Sequence, residues 1–330
     1  VATPSLSVVI PVRDEAAHLA ETIDALVAAL DPSGFDGELV VVDDGSSDGS
    51  AAVARTAANG RLPVRIVTKR GEGRFEARRA GLAEAQAELV LLLDARVRLA
   101  PGALRFVRER VDAGETVWNG HVHVETDHAL GVFWRLLAEL AWRDYFDEPR
   151  TTSFGSEEFD RFPKGTTCFL APRELLQSVF RGFRTRYRDV RLANDDTSIL
   201  RDLAARQRIG ISPEFSCFYE PRTSVGRFLR HATHRGTVFL DGHGTPASRF
   251  FPAVVLFFPV SAALLVGAAR RPGLVPAASV ACGVAAAAYG AYAGRSRREI
   301  VVLAAVTPLY AVGHAIGMWR GAVELVRGSL

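Results

Sequence analysis

Leu39-Val40-Val41-Val42-Asp43-Asp44-Gly45-Ser46-Ser47-Asp48-Gly49-Ser50 joins an apolar run directly to carboxylates, glycines and hydroxyls. Apolar residues bounded by turn formers predict a strand buried on both faces. Ser47 or Asp48 is expected to cap a helix that begins near Ser50. Asp43 and Asp44 then lie at the carboxyl end of a parallel strand, the edge at which open α/β sheets bind ligands. Two more strands are expected to end at the same edge, Ser7-Val8-Val9-Ile10-Pro11-Val12-Arg13-Asp14-Glu15 and Glu88-Leu89-Val90-Leu91-Leu92-Leu93-Asp94-Ala95-Arg96. Three acidic strand ends in one sheet point to a nucleotide site.

Around this stretch, strand-like and helix-like segments alternate from Ser5 to about Pro101. Helices are expected over Glu15 to Leu30, Ser50 to Ala58 and Arg74 to Ala87, and a strand over Val64 to Thr68, which is the βαβα pattern of a doubly wound sheet. Pro101 is expected to start a helix that ends near Gly114. From Thr116 to Glu125, polar/apolar alternation predicts an antiparallel or mixed strand. His121 and His123 share one face of it; a strand facing solvent or a cleft is the ordinary reading, a metal site the other. Gly131 to Phe146 reads as an amphipathic helix in which Trp134 and Trp142 suit a membrane interface or plain core packing. Thr151 to Phe162 reads as a mobile loop. Lys164 to Ala171 contains a short strand and Pro172 to Phe180 a helix. Asn194-Asp195-Asp196-Thr197 opens a helix that runs to about Arg206, with the acids at its N-terminus.

Composition changes near Phe250. Residues 250–269, 274–293 and 300–319 are apolar runs of about the ~20 residues that cross a bilayer, free of Asp, Glu, Lys and Arg. Thr223 to Phe239 carries Arg227, Arg230 and Arg235 among Phe and Leu, as a basic juxtamembrane helix does. Arg222, Arg227, Arg230, Arg235 and Arg249 precede the first run, and Arg295, Arg297 and Arg298 follow the second, with only Arg270 and Arg271 between them. The positive-inside rule therefore predicts a cytoplasmic α/β domain over 1–245 and a membrane domain over 246–330. A net charge of +3 does not argue for nucleic acid. Almost all the basic residues are Arg, which fits bidentate phosphate contacts or genome composition equally. Cys168, Cys217 and Cys282 show neither a disulfide framework nor zinc spacing and fit a reducing compartment. No basic segment followed by an apolar run precedes the first strand, so no signal peptide is expected.

Five blocks follow one another: Val8 to Glu15, Val41 to Asp48, Leu92-Leu93-Asp94-Ala95-Arg96, Gly165 to Phe183 ending in Arg181-Gly182-Phe183, and Asp195-Asp196-Thr197. In this order they resemble glycosyltransferase family 2, over most of Ser5 to about Arg235. The resemblance implies an α/β fold of the GT-A nucleotide-diphospho-sugar transferase type, a doubly wound mixed sheet, here followed by three C-terminal transmembrane helices. It places Pro11, Arg13 and Glu15 at the nucleotide, and Asp43 where a carboxylate accepts from the base or ribose. Asp44 and Asp48 read instead as a capped turn.

Asp94 matches the first carboxylate of the family's DxD motif, which meets the ribose and a diphosphate-bound metal. A divalent cation, Mg²⁺ or Mn²⁺, is implied, yet Arg96 stands where the second carboxylate belongs, and a hard cation needs further oxygen ligands. Arg96, joined by Arg98, is expected to pair with the donor diphosphate and take over part of the metal's role; the alternative is a salt bridge away from the donor. Asp196 matches the catalytic base, with Asp195 as its acidic neighbour. Such a carboxylate removes the acceptor proton while the oxygen attacks the anomeric carbon from the face opposite the leaving nucleotide; the plainer reading is an acidic helix start. Gly165, His234 and Arg235 are candidate contacts to acceptor or diphosphate, although His231 and His234 also read as solvated or headgroup-facing histidines.

The expected function is that of a membrane-anchored inverting glycosyltransferase in cell-envelope glycan synthesis. Its donor would be a nucleotide-diphosphate sugar and its acceptor a polyprenyl phosphate or lipid-linked glycan. The Gln-x-x-Arg-Trp signature of processive synthases is missing, since Gly236 follows Arg235, so one or few transfers are expected. A non-catalytic nucleotide-sugar-binding scaffold is the alternative that the altered DxD motif raises. A nucleotidyltransferase would need a basic glycine-rich loop where Pro11 to Glu15 stands, and transport is disfavoured by three spans without intramembrane charge.

Overall fold

A computed structural model describes residues 5–221, 223–246 and 248–329; Arg222, counted above among the cations before the first span, lies outside them. Its elements are β1 (Leu6–Val12), α1 (Ala16–Leu30), β2 (Gly37–Asp43), α2 (Ser50–Ala58), β3 (Val64–Thr68), α3 (Arg74–Glu84), β4 (Leu89–Leu93), β5 (Val97–Leu99), α4 (Ala103–Asp112) and β6 (Trp118–Val124). There follow α5 (Ala129–Ala141), α6 (Arg143–Phe146), β7 (Thr152–Phe154), β8 (Cys168–Pro172), α7 (Arg173–Gly182), α8 (Asp195–Arg206) and β9 (Ile209–Tyr219). The C-terminal helices are α9 (Val225–His243), α10 (Phe251–Arg270), α11 (Leu274–Tyr292) and α12 (Arg297–Ser329).

The chain divides into two compact units. The first takes the chain through Glu125, then Asp144–Arg184 and Asp195–Glu220; the second takes Thr126–Arg143, Thr185–Asn194 and the chain from Pro221 on.

In the first unit one sheet runs in the order β3-β2-β1-β4-β8-β6-β9-β5, with β7 on β9. β3, β2, β1 and β4 are parallel, and Val12 pairs with Asp43 and Asp43 with Thr68, so these carboxyl ends share one edge. The near-continuous apolar runs of β1, β2 and β4 follow from their position: each is central, and nearly every residue is buried. β8 then runs antiparallel to β4, with Cys168 opposite Leu93. That reversal brings residues 166 and 167 beside Asp94, whose N–H donates to the Thr167 carbonyl at 2.9 Å. β6 pairs antiparallel with β8 and parallel with β9, as a mixed strand.

α3 sits unusually close to the sheet. A Cβ placed on Gly81 would stand 2.3 Å from Val9 Cγ1, so only glycine permits the approach. The face that carries Gly81 also carries Arg78, one turn earlier, and delivers it beneath the strand ends.

Several local expectations change. α2 is capped by Gly49 at φ 84°, not by a side chain. Asp48 still serves the turn, accepting from the Ala16 N–H at 2.8 Å and the Ser50 N–H at 3.0 Å. The mobile loop expected over Thr151 to Phe162 is instead ordered: β7 pairs with β9, Phe154 and Phe159 are buried, and Phe154 stacks on Phe162 at 5.0 Å. Aromatic burial there outweighs the turn-like composition. His121 is buried with Nδ1 2.9 Å from the Tyr145 hydroxyl, and burial pushes its pKa down to about 4. No group of three or more His, Cys, Asp or Glu able to hold a metal ion occurs among the described residues.

In the second unit, Phe228, Ala232, Gly236, Thr237 and Leu240 form the buried stripe of α9, which packs on α12. A Cβ on Gly236 would meet the His314 carbonyl oxygen at 2.0 Å, and one on Gly317 the Thr233 carbonyl oxygen at 1.9 Å. The two backbones therefore touch, and α9 groups with the C-terminal helices although the expected domain boundary follows it, at residue 245. The helix expected over Gly131 to Phe146 breaks at Trp142 into α5 and α6. Leu130, Phe133 and Leu136 of α5 pack with Phe228, Val302, Leu303 and Val306. Charge reinforces this contact: Arg135 pairs with Glu139 at 2.9 Å and Glu299 at 2.7 Å, and Arg295 with Glu139 at 2.7 Å. α10, α11 and α12 are each long and apolar enough to cross a membrane. α12 has 33 residues and is about 50 Å long at 1.5 Å per residue, beyond the ~30 Å of a hydrocarbon core.

Candidate active site

The edge formed by the ends of β1, β2 and β4 is strapped together by side chains from its turns. Asp14 adopts φ 52°, a left-handed conformation that aspartate tolerates better than most residues. Its Oδ1 accepts from the Ser47 N–H at 2.8 Å, and its own N–H donates to Ser46 Oγ at 3.1 Å. The β1–α1 turn, carrying Arg13 and Glu15, is thereby fixed against the turn after Asp43.

Asp43 and Asp44 are adjacent but do different things. Asp44 accepts from three successive backbone N–H groups, those of Gly71 at 3.0 Å, Glu72 at 2.7 Å and Gly73 at 2.8 Å. Gly71 and Gly73, at φ 83° and 94°, allow the three donors to converge. Asp44 is thus consumed in holding the β3–α3 loop, as the capped-turn reading expects. Asp43 accepts from the Ser46 N–H through Oδ1 at 2.8 Å, and its Oδ2 has no protein partner among the described residues. Arg13 reaches the same rim: its Nη1 lies 3.2 Å from the point a Cβ on Gly71 would occupy. Pro11 stands opposite Val42 in the β1–β2 ladder.

Arg96 is placed differently from its expected partnership. Its Nε donates to Glu15 Oε2 at 2.7 Å, with both side chains about nine-tenths buried. The turn after β4 lays residue 96 against the N-terminus of α1, where a buried guanidinium requires a counter-ion. Glu15 supplies it. Arg98 is likewise engaged, with Glu21 at 3.0 Å and Glu125 at 2.6 Å. The two arginines expected to act together on a diphosphate are thus held by different carboxylates. Arg98 lies in an exposed salt-bridge pair, while Arg96 is clamped by Glu15, its two Nη groups without a protein acceptor among the described residues.

The remaining carboxylates converge on a residue that did not stand out in the sequence. Arg78 of α3 is fully buried; its Nη2 donates to Asp94 Oδ1 at 3.0 Å, and its Nη1 to Asp195 Oδ2 and Asp196 Oδ1, each at 3.2 Å. Thr166, also unanticipated, donates its hydroxyl to Asp196 Oδ1. Asp195 is buried, whereas the Asp196 side chain is 34% exposed and faces solvent. Burial, then the neighbouring Asp196, holds the Asp195 carboxyl above the ordinary carboxylate range, with Arg78 acting in the opposite direction. Burial works against the charge on Arg78, and the three carboxylates outweigh it, raising its pKa above the ordinary arginine value. Gly165 donates its N–H to Asn119 Oδ1 at 3.1 Å, just ahead of Thr166. His234 and Arg235 belong to α9 in the second unit, where the Arg235 guanidinium lies 5.5 Å from the Trp134 ring centroid.

A known family model, Glycosyl transferase family 2, matches residues 7–180, more than half of the chain; that span holds the sheet edge and Asp94 and ends before the paired acids Asp195 and Asp196. The chain belongs to glycosyl transferase family 2. Among curated relatives of this family 2 member, the undecaprenyl-phosphate 4-deoxy-4-formamido-L-arabinose transferase of Edwardsiella ictaluri is 39% identical over 114 residues, 34% of this chain and 35% of that protein. The protein of the same name from Pseudomonas aeruginosa is 37% identical over 114 residues, 34% of each chain. The matched stretch spans about a third of the length of these relatives. Two solved structures share the fold. One is the mannosyltransferase PcManGT from Pyrobaculum calidifontis in complex with GDP-Man and Mn²⁺, with a TM-score of 0.52 at 23% identity, covering 94% of this chain and 88% of that one. The other is S. aureus TarS 1-349 in complex with UDP-GlcNAc, with a TM-score of 0.52 at 15% identity, covering 97% and 90%. The fold of this family 2 chain is of the GT-A type.

A family 2 DxD motif implies a divalent cation, and the residues present do not fit one held by the protein. Asp94 gives one oxygen to Arg78, residue 96 is itself a cation, and neither Asp195 nor Asp196 is free of Arg78. A hard cation of this kind takes six or more oxygen ligands.

Proposed function

We propose that this family 2 chain is a membrane-anchored inverting glycosyltransferase. It moves a sugar from a nucleotide-diphosphate donor to a membrane-borne acceptor, with the catalytic unit on the cytoplasmic side. The observation that carries the reading is the convergence of Asp94, Asp195 and Asp196 on Arg78. In this reading Asp43 accepts from the base or ribose through its open Oδ2, and Pro11, Arg13 and Glu15 line the nucleotide. Asp94 fixes the ribose side of the donor. Asp196, the exposed member of the pair, takes the acceptor proton as the acceptor oxygen bonds to the anomeric carbon. The bond to the diphosphate breaks on the opposite face, and the departing nucleotide carries the electron pair.

Arg96 supports the leaving group by its geometry. Glu15 grips Nε and leaves the Nη edge for phosphate oxygens, a bidentate surface for which guanidinium is suited. Product formation in the presence of excess EDTA is accordingly expected to stay within about twofold of the untreated rate, since no protein-held Lewis acid is removed. Complete loss on chelation, restored by Mn²⁺ or Mg²⁺, would overturn this part of the reading.

Two acceptor classes are distinguished by the base. A hydroxyl, as on a lipid-linked glycan, has a proton for Asp196 to remove. A polyprenyl phosphate has an oxygen already ionised and needs no base; the names of the curated relatives favour that second reading. In the catalytic unit, Gly165, which adjoins Thr166, is the candidate contact to either. The deciding experiment incubates the detergent-solubilised chain with UDP- and GDP-sugars and either undecaprenyl phosphate or membrane lipid extract. Release of nucleoside diphosphate and a lipid-borne sugar is the expected result. Nucleotide binding without release would establish a non-catalytic nucleotide-binding scaffold instead.

A further inference from the structure

We propose that Arg78 is a positioning residue of the transfer reaction: its guanidinium sets the Asp196 carboxylate in place relative to Asp94. This rests on the reading of Asp196 as the base.

The geometry is that of a clamp. Asp94 ends β4 and Asp196 starts α8, elements far apart in sequence, and the guanidinium of Arg78 bonds both, at 3.0 and 3.2 Å. Because the guanidinium is planar and rigid, fixing one carboxylate fixes the direction of the other. The clamp itself has little freedom, since Gly81 seats α3 directly on Val9 and Val42. Thr166 binds the same Asp196 oxygen that Arg78 does, so two donors from different elements fix that carboxylate. A productive base requires this kind of restraint, because a displacement of about 1 Å costs on the order of a hundredfold in rate.

A purely structural role explains the site poorly. Arg78 Nε is buried without a hydrogen-bond partner, which opposes folding, and a buried ion cluster is itself a weak source of stability. An apolar side chain of similar volume facing fewer acids would serve a core better. Asp196 meets Arg78 from α3 and Thr166 ahead of β8, with Asp195 beside it on its own helix; Asp94, just past β4, shares Arg78, and Arg74, at the start of α3, acts on Asp195.

Arg78→Lys keeps the charge and loses the fork. The full chain is assayed for nucleoside diphosphate release from the UDP- or GDP-sugar that the wild type turns over, alongside calorimetric binding of UDP and GDP. The expected result is a folded protein whose nucleotide affinity stays within about threefold while kcat falls about 10- to 100-fold. Arg78→Met removes the charge as well. There the acid limb of the kcat against pH profile is expected to move up by about 1–3 units, because the carboxylate has lost the cation that favoured its ionised form; in Arg78→Lys the limb stays in place. A wild-type kcat in Arg78→Lys overturns the proposal, and so does a nucleotide affinity that falls as far as kcat, or a Lys variant that does not fold. If Arg78→Met fails to fold, the Lys variant alone decides. A wild type that binds nucleotide and turns over no sugar donor would instead remove the transferase reading itself.

Discussion

Asp196→Asn is expected to lower kcat by about 10²- to 10⁴-fold while UDP or GDP affinity stays within about threefold. The amide is nearly isosteric, and its carbonyl oxygen can still accept from Thr166 and Arg78, the two donors to Oδ1. What disappears is the capacity to take a proton. Turnover with a hydroxyl acceptor should therefore collapse without a change in fold, and thermal stability should shift little. The measurement is kcat with lipid extract, beside calorimetric titration with the nucleotide. A wild-type rate would end the assignment of Asp196 as base, and would turn attention to an acceptor whose oxygen is already ionised.

Glu15→Ala has the largest expected effect on stability. Its carboxylate accepts from Arg96 Nε at 2.7 Å, and both side chains are about nine-tenths buried. Removing one member leaves the other buried and unpaired, which costs about 3 kcal/mol. In a catalytic unit of this size that corresponds to a fall in Tm of about 6–12 °C. Adding Arg96→Met to Glu15→Ala removes the stranded charge, so most of the Tm should return. Donor affinity should not return, because both nucleotide-facing groups are gone. Thermal melts of the single and double variants test the pair; an unchanged Tm in Glu15→Ala would show that water reaches Arg96 well enough to replace its partner.

The fold was largely legible because its signals are local. Leu39 to Val42 and Leu89 to Leu93 are continuous apolar runs, and such runs have few stable places other than the middle of a covered parallel sheet. Part of the glycosyltransferase likeness came from the ends of these stretches, Asp43 and Asp94, and of β1, which leads to Glu15. Arg78 was not legible, since an arginine between Ala77 and Arg79 on a helix reads as solvated. Its only trace is Gly81, three residues later, where a glycine within a helix marks a close approach. Thr166 was hidden for a different reason: its role depends on β8 running antiparallel to β4, a pairing between segments more than seventy residues apart. Phe154, Phe159 and Phe162 were misread because Gly, Ser and charged neighbours diluted them. Two of the three rings are fully buried, and hydrophobic anchoring of that kind overrides composition.

The glycine seam between α9 and α12 decides how α9 is held within the second unit. A basic amphipathic helix usually rests on anionic headgroups by charge, and strong salt strips it off. Here Gly236 and Gly317 bring main chain against main chain, while Arg227 and Arg230 remain exposed on the outer side. Washing at high ionic strength should weaken what those arginines touch and leave α9 where it is, because its grip is steric contact with a span-length helix and not ionic adhesion.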